Sequence, residues 1–305
     1  MATRGNFVSL YGYVHTINII PEQSCGLASI VVSRSDRSTG DTKKKEADLI
    51  LVMTNRQDQL EEMMRWSEYD IVEVKGVIAT IPREKGKKLH FCKECGHSQI
   101  TYGTAAYVYP QFLKLRQHFE GDEETRLNKA IAALKENKEI SNLFNCFAYL
   151  CKGPKRKILE NGLKLTEYQV VIHRAYRIDE DDQDRKEDFV WVKSYGKNGI
   201  EDHLHLRTSS QIYIDGLLQS RKVLQKATCE ECGATYNWED RVLEIVPYSV
   251  QYISGCLNDE EVAAQEKKKL DQQEAEVLSK LKGTKPKSED AFAGIDFGET
   301  METEE

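Results

Sequence analysis

The sequence predicts a mainly β fold: two related barrels in tandem, a helical connector between them, and a disordered acidic C-terminal tail. Three observations carry this. Apolar and polar residues alternate with period two through 1–119 and again through 161–256. Between them, over 120–160, the apolar period lengthens to 3.6. One block also occurs twice, because Ile71-Val72-Glu73-Val74-Lys75-Gly76-Val77-Ile78 lies over Gln211-Ile212-Tyr213-Ile214-Asp215-Gly216-Leu217-Leu218.

The first copy opens with strands at 7–14 and 27–32. A polar loop over 33–46 holds Arg34, Arg37, Lys43, Lys44 and Lys45, and 48–53 is the third strand. Residues 56–67 form a short helix with Leu60, Met63, Met64 and Trp66 partly on one face. A β-branched strand over 70–81 is centred on Gly76, residues 85–102 hold a CxxC, and 105–115 closes the copy. From 122 to 150, Leu127, Ile131, Leu134, Ile140, Leu143, Phe144 and Phe147 mark the amphipathic connector, ended by a Gly153-Pro154-Lys155-Arg156-Lys157 loop. The second copy then supplies strands at 168–178, 188–192, 211–218 and 242–253. The central glycine precedes the first cysteine of the CxxC by 16 residues in one copy and 13 in the other. After each CxxC-Gly comes a strand with Tyr and Pro: Tyr107-Val108-Tyr109-Pro110 and Val246-Pro247-Tyr248. Five or so short strands with one helix between the third and fourth are the inventory of an OB barrel, with Gly12, Gly76 and Gly216 as strand corners.

Length suits two domains, with boundaries expected at 1–119, 120–160, 161–256 and 257–305. No run of about 18 apolar residues is present. Met1-Ala2-Thr3-Arg4-Gly5-Asn6 has no apolar signal core, so a cytoplasmic, nucleoid-associated protein is expected. The net charge of −7 resides in 257–305, which carries 14 acidic and 7 basic residues; the remainder is neutral and free to hold a basic face.

The eight cysteines fall into two CxxC pairs and four single residues: Cys25, Cys146, Cys151 and Cys256, small hydrophobes by expectation. Cys92-Lys93-Glu94-Cys95-Gly96 and Cys229-Glu230-Glu231-Cys232-Gly233 look like zinc knuckles, in which a glycine lets two thiolates converge on one ion. Structural zinc takes four ligands. Either Cys92, Cys95, Cys229 and Cys232 share one Zn2+ across the repeats, or His90 and His97 complete the first pair. A redox dithiol would need a βαβ context that is absent.

Phe189-Val190-Trp191-Val192-Lys193-Ser194-Tyr195-Gly196-Lys197, followed by 209–222 ending in Ser220-Arg221-Lys222, resembles the bacterial-type single-stranded DNA-binding proteins. The match is tight over about 35 residues and looser over the second copy. Val223 stands where that family has a stacking aromatic, and the first copy has Leu49-Ile50-Leu51-Val52-Met53 in place of the aromatic strand. The resemblance is to a tandem double-barrel member, phage- or mobile-element-encoded, with CxxC zinc elements that ordinary members lack. The resemblance implies a non-enzymatic protein that protects single-stranded DNA during replication, recombination or repair. Double-barrel members dimerise, which implies a homodimer.

The residues support this independently. Single strands are held by cations along the phosphates and by aromatic faces under the bases. Phe189, Trp191, Lys193 and Tyr195 share one strand face, with Lys197 nearby and Tyr213 on the following strand. Arg221 and Lys222, with Lys87 and Lys88, are the expected phosphate contacts. In the tail, Phe292, Ile295, Asp296 and Phe297 lie in an acidic setting similar to the family's docking tip for replication and repair proteins, although Phe297 is internal. No Walker loop, nucleophile elbow or paired-carboxylate cluster is present. A zinc-stabilised scaffold subunit and an RNA-binding OB protein remain open alternatives.

Overall fold

In the structure, a computed structural model, the first barrel closes because its opening strand is long enough to be shared. β1 (Asn6–Ile20) pairs with β2 (Cys25–Ser33) through its C-terminal half and with β4 (Ile71–Ile81) through residues 8–13. β3 (Ala47–Thr54) and β7 (Ala105–Gln117) complete the ring in the order β1-β2-β3-β7-β4. The helix α1 (Gln57–Met63) lies between the third and fourth strands, as expected, and a small hairpin of β5 (Lys87–Phe91) and β6 (Ser98–Tyr102) extends from the barrel. The structure describes residues 5–20, 24–37, 46–83, 85–174, 178 and 187–283.

The second barrel repeats the plan. β8 (Asn142–Ile158), β9 (Lys164–His173), β10 (Glu187–Tyr195), β12 (Thr235–Ser254) and β11 (Gln211–Thr228) close in that order. In each barrel one parallel bridge joins the third strand to the last, Val52 to Val108 and Val192 to Ile245. Each long hairpin ladder slips by one residue at its central glycine. A Cβ on Gly76 would lie 2.2 Å from the Tyr109 carbonyl oxygen, and one on Gly216 would lie 2.4 Å from that of Val246. Only glycine permits the strand to turn this corner.

The connector is shorter than the sequence suggested. α2 (Glu123–Glu136) and the single turn α3 (Lys138–Ser141) are helical, with Asp122 capping α2 by accepting from the Thr125 N–H at 2.8 Å. The helix expected through residue 150 is overturned, because β8 begins at Asn142 and is the first strand of the second barrel. Leu143, Phe144 and Phe147 fit either period. Burial settles it: Phe144, Cys146, Ala148 and Leu150 point inward at period two. The strand over 168–173 is therefore second in its barrel.

β1 and β8 also pair antiparallel, Val8 opposite Phe144, so one sheet runs through both barrels about a local two-fold axis. The equivalences are close. The Asn6 carboxamide bonds both backbone groups of Ile78, and that of Asn142 bonds both of Leu218. Arg34 pairs with Asp48 at 2.7 Å and Arg174 with Asp188 at 2.5 Å, all four side chains buried. Each aspartate then reaches across the axis: Asp48 accepts the Ser220 N–H at 3.0 Å and Asp188 accepts that of Thr80 at 2.7 Å. Buried charges are tolerated only when paired and hydrogen-bonded in this way. The largest hydrophobic core cluster, with Leu10, Ile30, Ile50, Phe144, Tyr168 and Ile212 fully buried, runs through both barrels.

Residues 258–283 form a separate unit containing α5 (Asp259–Gly283), capped by reciprocal bonds between Asn258 and Glu261. The tail residues Phe292, Ile295, Asp296 and Phe297 lie outside the described residues. No helix among the described residues is long and apolar enough to cross a membrane.

Candidate nucleic-acid interface and metal centre

Strand β10 alternates inward valines with outward Phe189 and Trp191, and these two aromatics are 38% and 39% exposed. They open onto a groove of about 710 Å³. Six cations line it, Lys88, Lys155, Lys157, Lys193, Arg221 and Arg241, against the carboxylates Glu167, Asp240 and Glu244. Lys152 and Lys193 place their ammonium groups 5.7 Å from the Trp191 ring centre. The groove has walls from both barrels, because Lys88, Gly103 and Thr104 belong to the first and hold one side.

The expected contacts divide. Phe189, Trp191, Lys193, Arg221 and Lys88 are brought to the groove. Lys193 differs from expectation in being buried, with its ammonium tied to Glu167 and 3.7 Å from Glu244, so it supports the Trp191 ring more than it meets solvent. Although burial pushes Glu167 up, hydrogen bonds from Lys157 and Lys193 hold its carboxyl below the ordinary value. Arg221 forms a two-pronged pair with Glu244 at 2.9 and 3.1 Å yet stays half exposed. Tyr195 is half-buried, while Lys197 is exposed on the first turn of α4 (Gly196–His205). Tyr213 is not among the groove residues and packs on Phe147 at 4.9 Å. Lys222 pairs with Glu239 outside the groove, and Lys87 lies exposed on the β5–β6 hairpin.

Lys152, Lys155 and Lys157 were missed as site residues. They occupy the irregular second half of β8, where two register shifts carry the strand along β9 and up to Trp191. The basic run from Lys152 to Lys157 was the available signal, obscured by its reading as a loop.

Beyond the groove the hairpins meet at their tips. Cys92, Cys95, Cys229 and Cys232 bring their four sulfurs within 4.8 Å of one another. Cys92 lies 3.7 Å from Cys232 and Cys95 lies 3.6 Å from Cys229, far beyond a disulfide bond. A tetrahedron of sulfurs about 2.3 Å from a central zinc has edges of about 3.8 Å, so the four thiols fit that ion. Each knuckle is built alike. Gly96 donates to the Cys92 carbonyl and Gly233 to that of Cys229, both at 3.0 Å. Their φ values of +73° and +72° explain the glycines. The Cys232 N–H, helped by that of Glu231 and by neighbouring thiols, pulls Cys229 down to about 6. Despite a backbone hydrogen bond from His97, desolvation and the three neighbouring thiols push Cys95 up to about 12. A divalent cation replaces the protons of such a cluster.

His90 and His97 are not in this cluster. His90 instead stacks on Trp238 at 4.5 Å and sets its Nδ1 2.7 Å from the Tyr236 hydroxyl, which donates to Gln99. The β5–β6 hairpin is thus seated on the β11–β12 hairpin by rings as well as by sulfur.

Residues 142–234 match the single-strand binding protein family. The matched stretch runs from the start of β8 to the second knuckle, so it takes in β10, α4 and β11. No curated protein sequence matches the chain. Among solved structures, the wild-type single-stranded DNA binding protein from Thermus aquaticus is similar, at 12% identity and a TM-score of 0.48, over 83% of this chain and 95% of that one. A deletion mutant of the same Thermus aquaticus protein is similar at 11% identity and a TM-score of 0.48, over 86% of this chain and all of that one.

Proposed function

We propose that this chain is a double-barrel single-strand binding protein that holds unpaired DNA across the second barrel, with one structural zinc locking the two barrels together. The carrying observation is the pair of half-exposed rings, Phe189 and Trp191, beside a groove lined by six cations, the rings and four of the cations (Lys155, Lys157, Lys193 and Arg221) lying within the stretch that matches the family. Bases stack on the rings while Lys155, Lys157, Arg221 and Arg241 follow the phosphates. Neither device reads sequence, so binding is sequence-tolerant. The chain acts by binding and not by catalysis, which suits the protection of exposed strands in replication, recombination or repair. Cys92, Cys95, Cys229 and Cys232 would hold the zinc, whose role is to fix the hairpins that wall the groove. We read the chain as a homodimer, with Phe292, Ile295, Asp296 and Phe297 as the docking segment for replication or repair proteins.

Titration of intrinsic tryptophan fluorescence with oligo-dT, duplex DNA and poly-U at two salt concentrations tests this. Oligo-dT should quench strongly and less so as salt rises, and duplex should do little. Stacking contributes about 1–3 kcal/mol per base in single-strand binders of this type, so Trp191→Ala should weaken binding about 5- to 150-fold. Leu51→Ala, the equivalent change in the first barrel, should leave affinity nearly unchanged. Absence of binding at low salt would reject the reading, and equal affinity for poly-U would make the ligand single strands of either sugar.

A further inference from the structure

The outward face of the β5–β6 hairpin has no place in the groove. Its residues are Lys87, Leu89 and Phe91 on β5, opposite Tyr102, Ile100 and Ser98 on β6. All six are exposed, Phe91 at 59% and Tyr102 at 49%. The reverse face, His90 and Gln99, is the one that contacts Tyr236. A face so open and so rich in rings normally marks a binding surface.

We propose that this face is a second base-stacking platform, with Phe91 and Tyr102 receiving bases of the same unpaired strand after it leaves the Trp191 groove; the proposal rests on the single-strand reading above. Three observations select this occupant. The first is continuity: Lys88 and Gly103, which line the groove, are the chain neighbours of Lys87 and Tyr102 on the opposite face of the hairpin, so a strand leaving the groove reaches that face by rounding the hairpin's edge. The second is charge. Residues 85–102 expose Lys85, Lys87 and Lys93 against Glu94, while Lys88 is held in an ion pair with Asp240 of the facing hairpin, so the cations free for phosphate gather at the groove end of the hairpin, at Lys85 and Lys87. The third is spacing. Tyr102 lies opposite Lys87, four residues along the strand from Phe91, so the backbone positions that carry the two rings are about 13 Å apart along the strand and each ring can take its own base. Leu89 and Ile100 form the apolar floor between them. The first barrel, whose own third strand offers Leu49 and Leu51, would on this reading contribute to binding through its hairpin.

The test compares Phe91→Ala/Tyr102→Ala with wild type on two probes, a short oligo-dT that fills only the groove and a long one that runs past it. The double variant should bind the long probe roughly tenfold more weakly and occlude fewer nucleotides, with the short probe unaffected. Phe91→Trp/Tyr102→Phe should restore the long-probe affinity. Unchanged metal content checks that the hairpin is still seated. Unchanged affinity and site size on the long probe would overturn the platform and leave the groove reading intact, whereas wild type binding neither probe would remove both. A variant that changes sedimentation while binding long DNA normally would reassign the face to contact between copies of the chain and overturn the proposal.

Discussion

The two barrels share what closes them and differ in what they present. Arg34–Asp48 and Arg174–Asp188, Asn6 and Asn142, Gly76 and Gly216 occupy equivalent places and make equivalent bonds. On the third strand, however, Phe189 and Trp191 face Leu49 and Leu51 as counterparts. The hairpins differ too: β11–β12 is one continuous ladder, while the first barrel breaks its ladder into β4–β7 and the separate β5–β6 pair. Duplication preserves the residues that packing and buried polar bonds demand, since each loss there is costly. Outward positions carry no such constraint. The result is one frame with two different outward faces, and the knuckles are the point at which the two halves meet on equal terms.

The largest effect should come from breaking that point. Cys92→Ser and Cys229→Ser remove one thiol from each barrel of a shared site. Wild type should carry one zinc per chain by elemental analysis, and both variants should carry none. Loss of a structural metal falls among the large destabilisations, about 4 kcal/mol or more, and the two variants should melt alike. A variant that retained stoichiometric zinc would show that its barrel does not share the site.

The buried ion pairs should give the next largest change. Asp48→Ala and Asp188→Ala each leave a buried guanidinium without its carboxylate and a backbone N–H across the two-fold axis without its acceptor. The expected cost is about 3–5 kcal/mol each by urea unfolding. Near-equal losses would confirm the equivalence; a loss at one site alone would show that one barrel carries the interface.

How much of this was legible beforehand follows the same division. Gly76 and Gly216, the two CxxC pairs and the aromatic alternation on β10 are local signals, each fixed by one strand or one turn, and each was readable. The shared cysteine site was readable as one of two completions; only the fold brings the tips within reach of each other. Residues 142–150 were misassigned because Leu143, Phe144 and Phe147 satisfy both periods, and only the inward column of Phe144, Cys146, Ala148 and Leu150 separates them. Lys193 looked like a phosphate contact because sequence shows its face but not Glu167 and Glu244 beside it. The Asp48 and Asp188 crossings join residues more than a hundred positions apart, which no local pattern encodes.

The smallest effect concerns the helix at the end of each barrel. In the first barrel α1 places Gln59, a neutral side chain, between the Thr54 hydroxyl and the Pro110 carbonyl. In the second, α4 places Asp202, which accepts hydrogen bonds from Tyr168 at 3.0 Å and Tyr252 at 2.9 Å. Burial raises the Asp202 carboxyl above its ordinary value of 3.8, despite the hydrogen bonds from Tyr252 and Tyr168 that favour its charged form. The sign follows directly. Below that value both folded and unfolded chains hold the proton, so Asp202 contributes no slope. As pH rises the unfolded chain releases its proton first, and the folded state loses stability until Asp202 itself ionises. Asp202→Asn cannot titrate, so its stability relative to wild type should rise with pH above about 4, by at most about 1.4 kcal/mol per pH unit. Gln59→Glu, which makes the first barrel's plug ionisable, should create the same dependence there. Urea midpoints measured from acid to neutral pH read both changes, and a difference between wild type and Asp202→Asn that stays flat across that range would show that the two plugs are electrostatically alike.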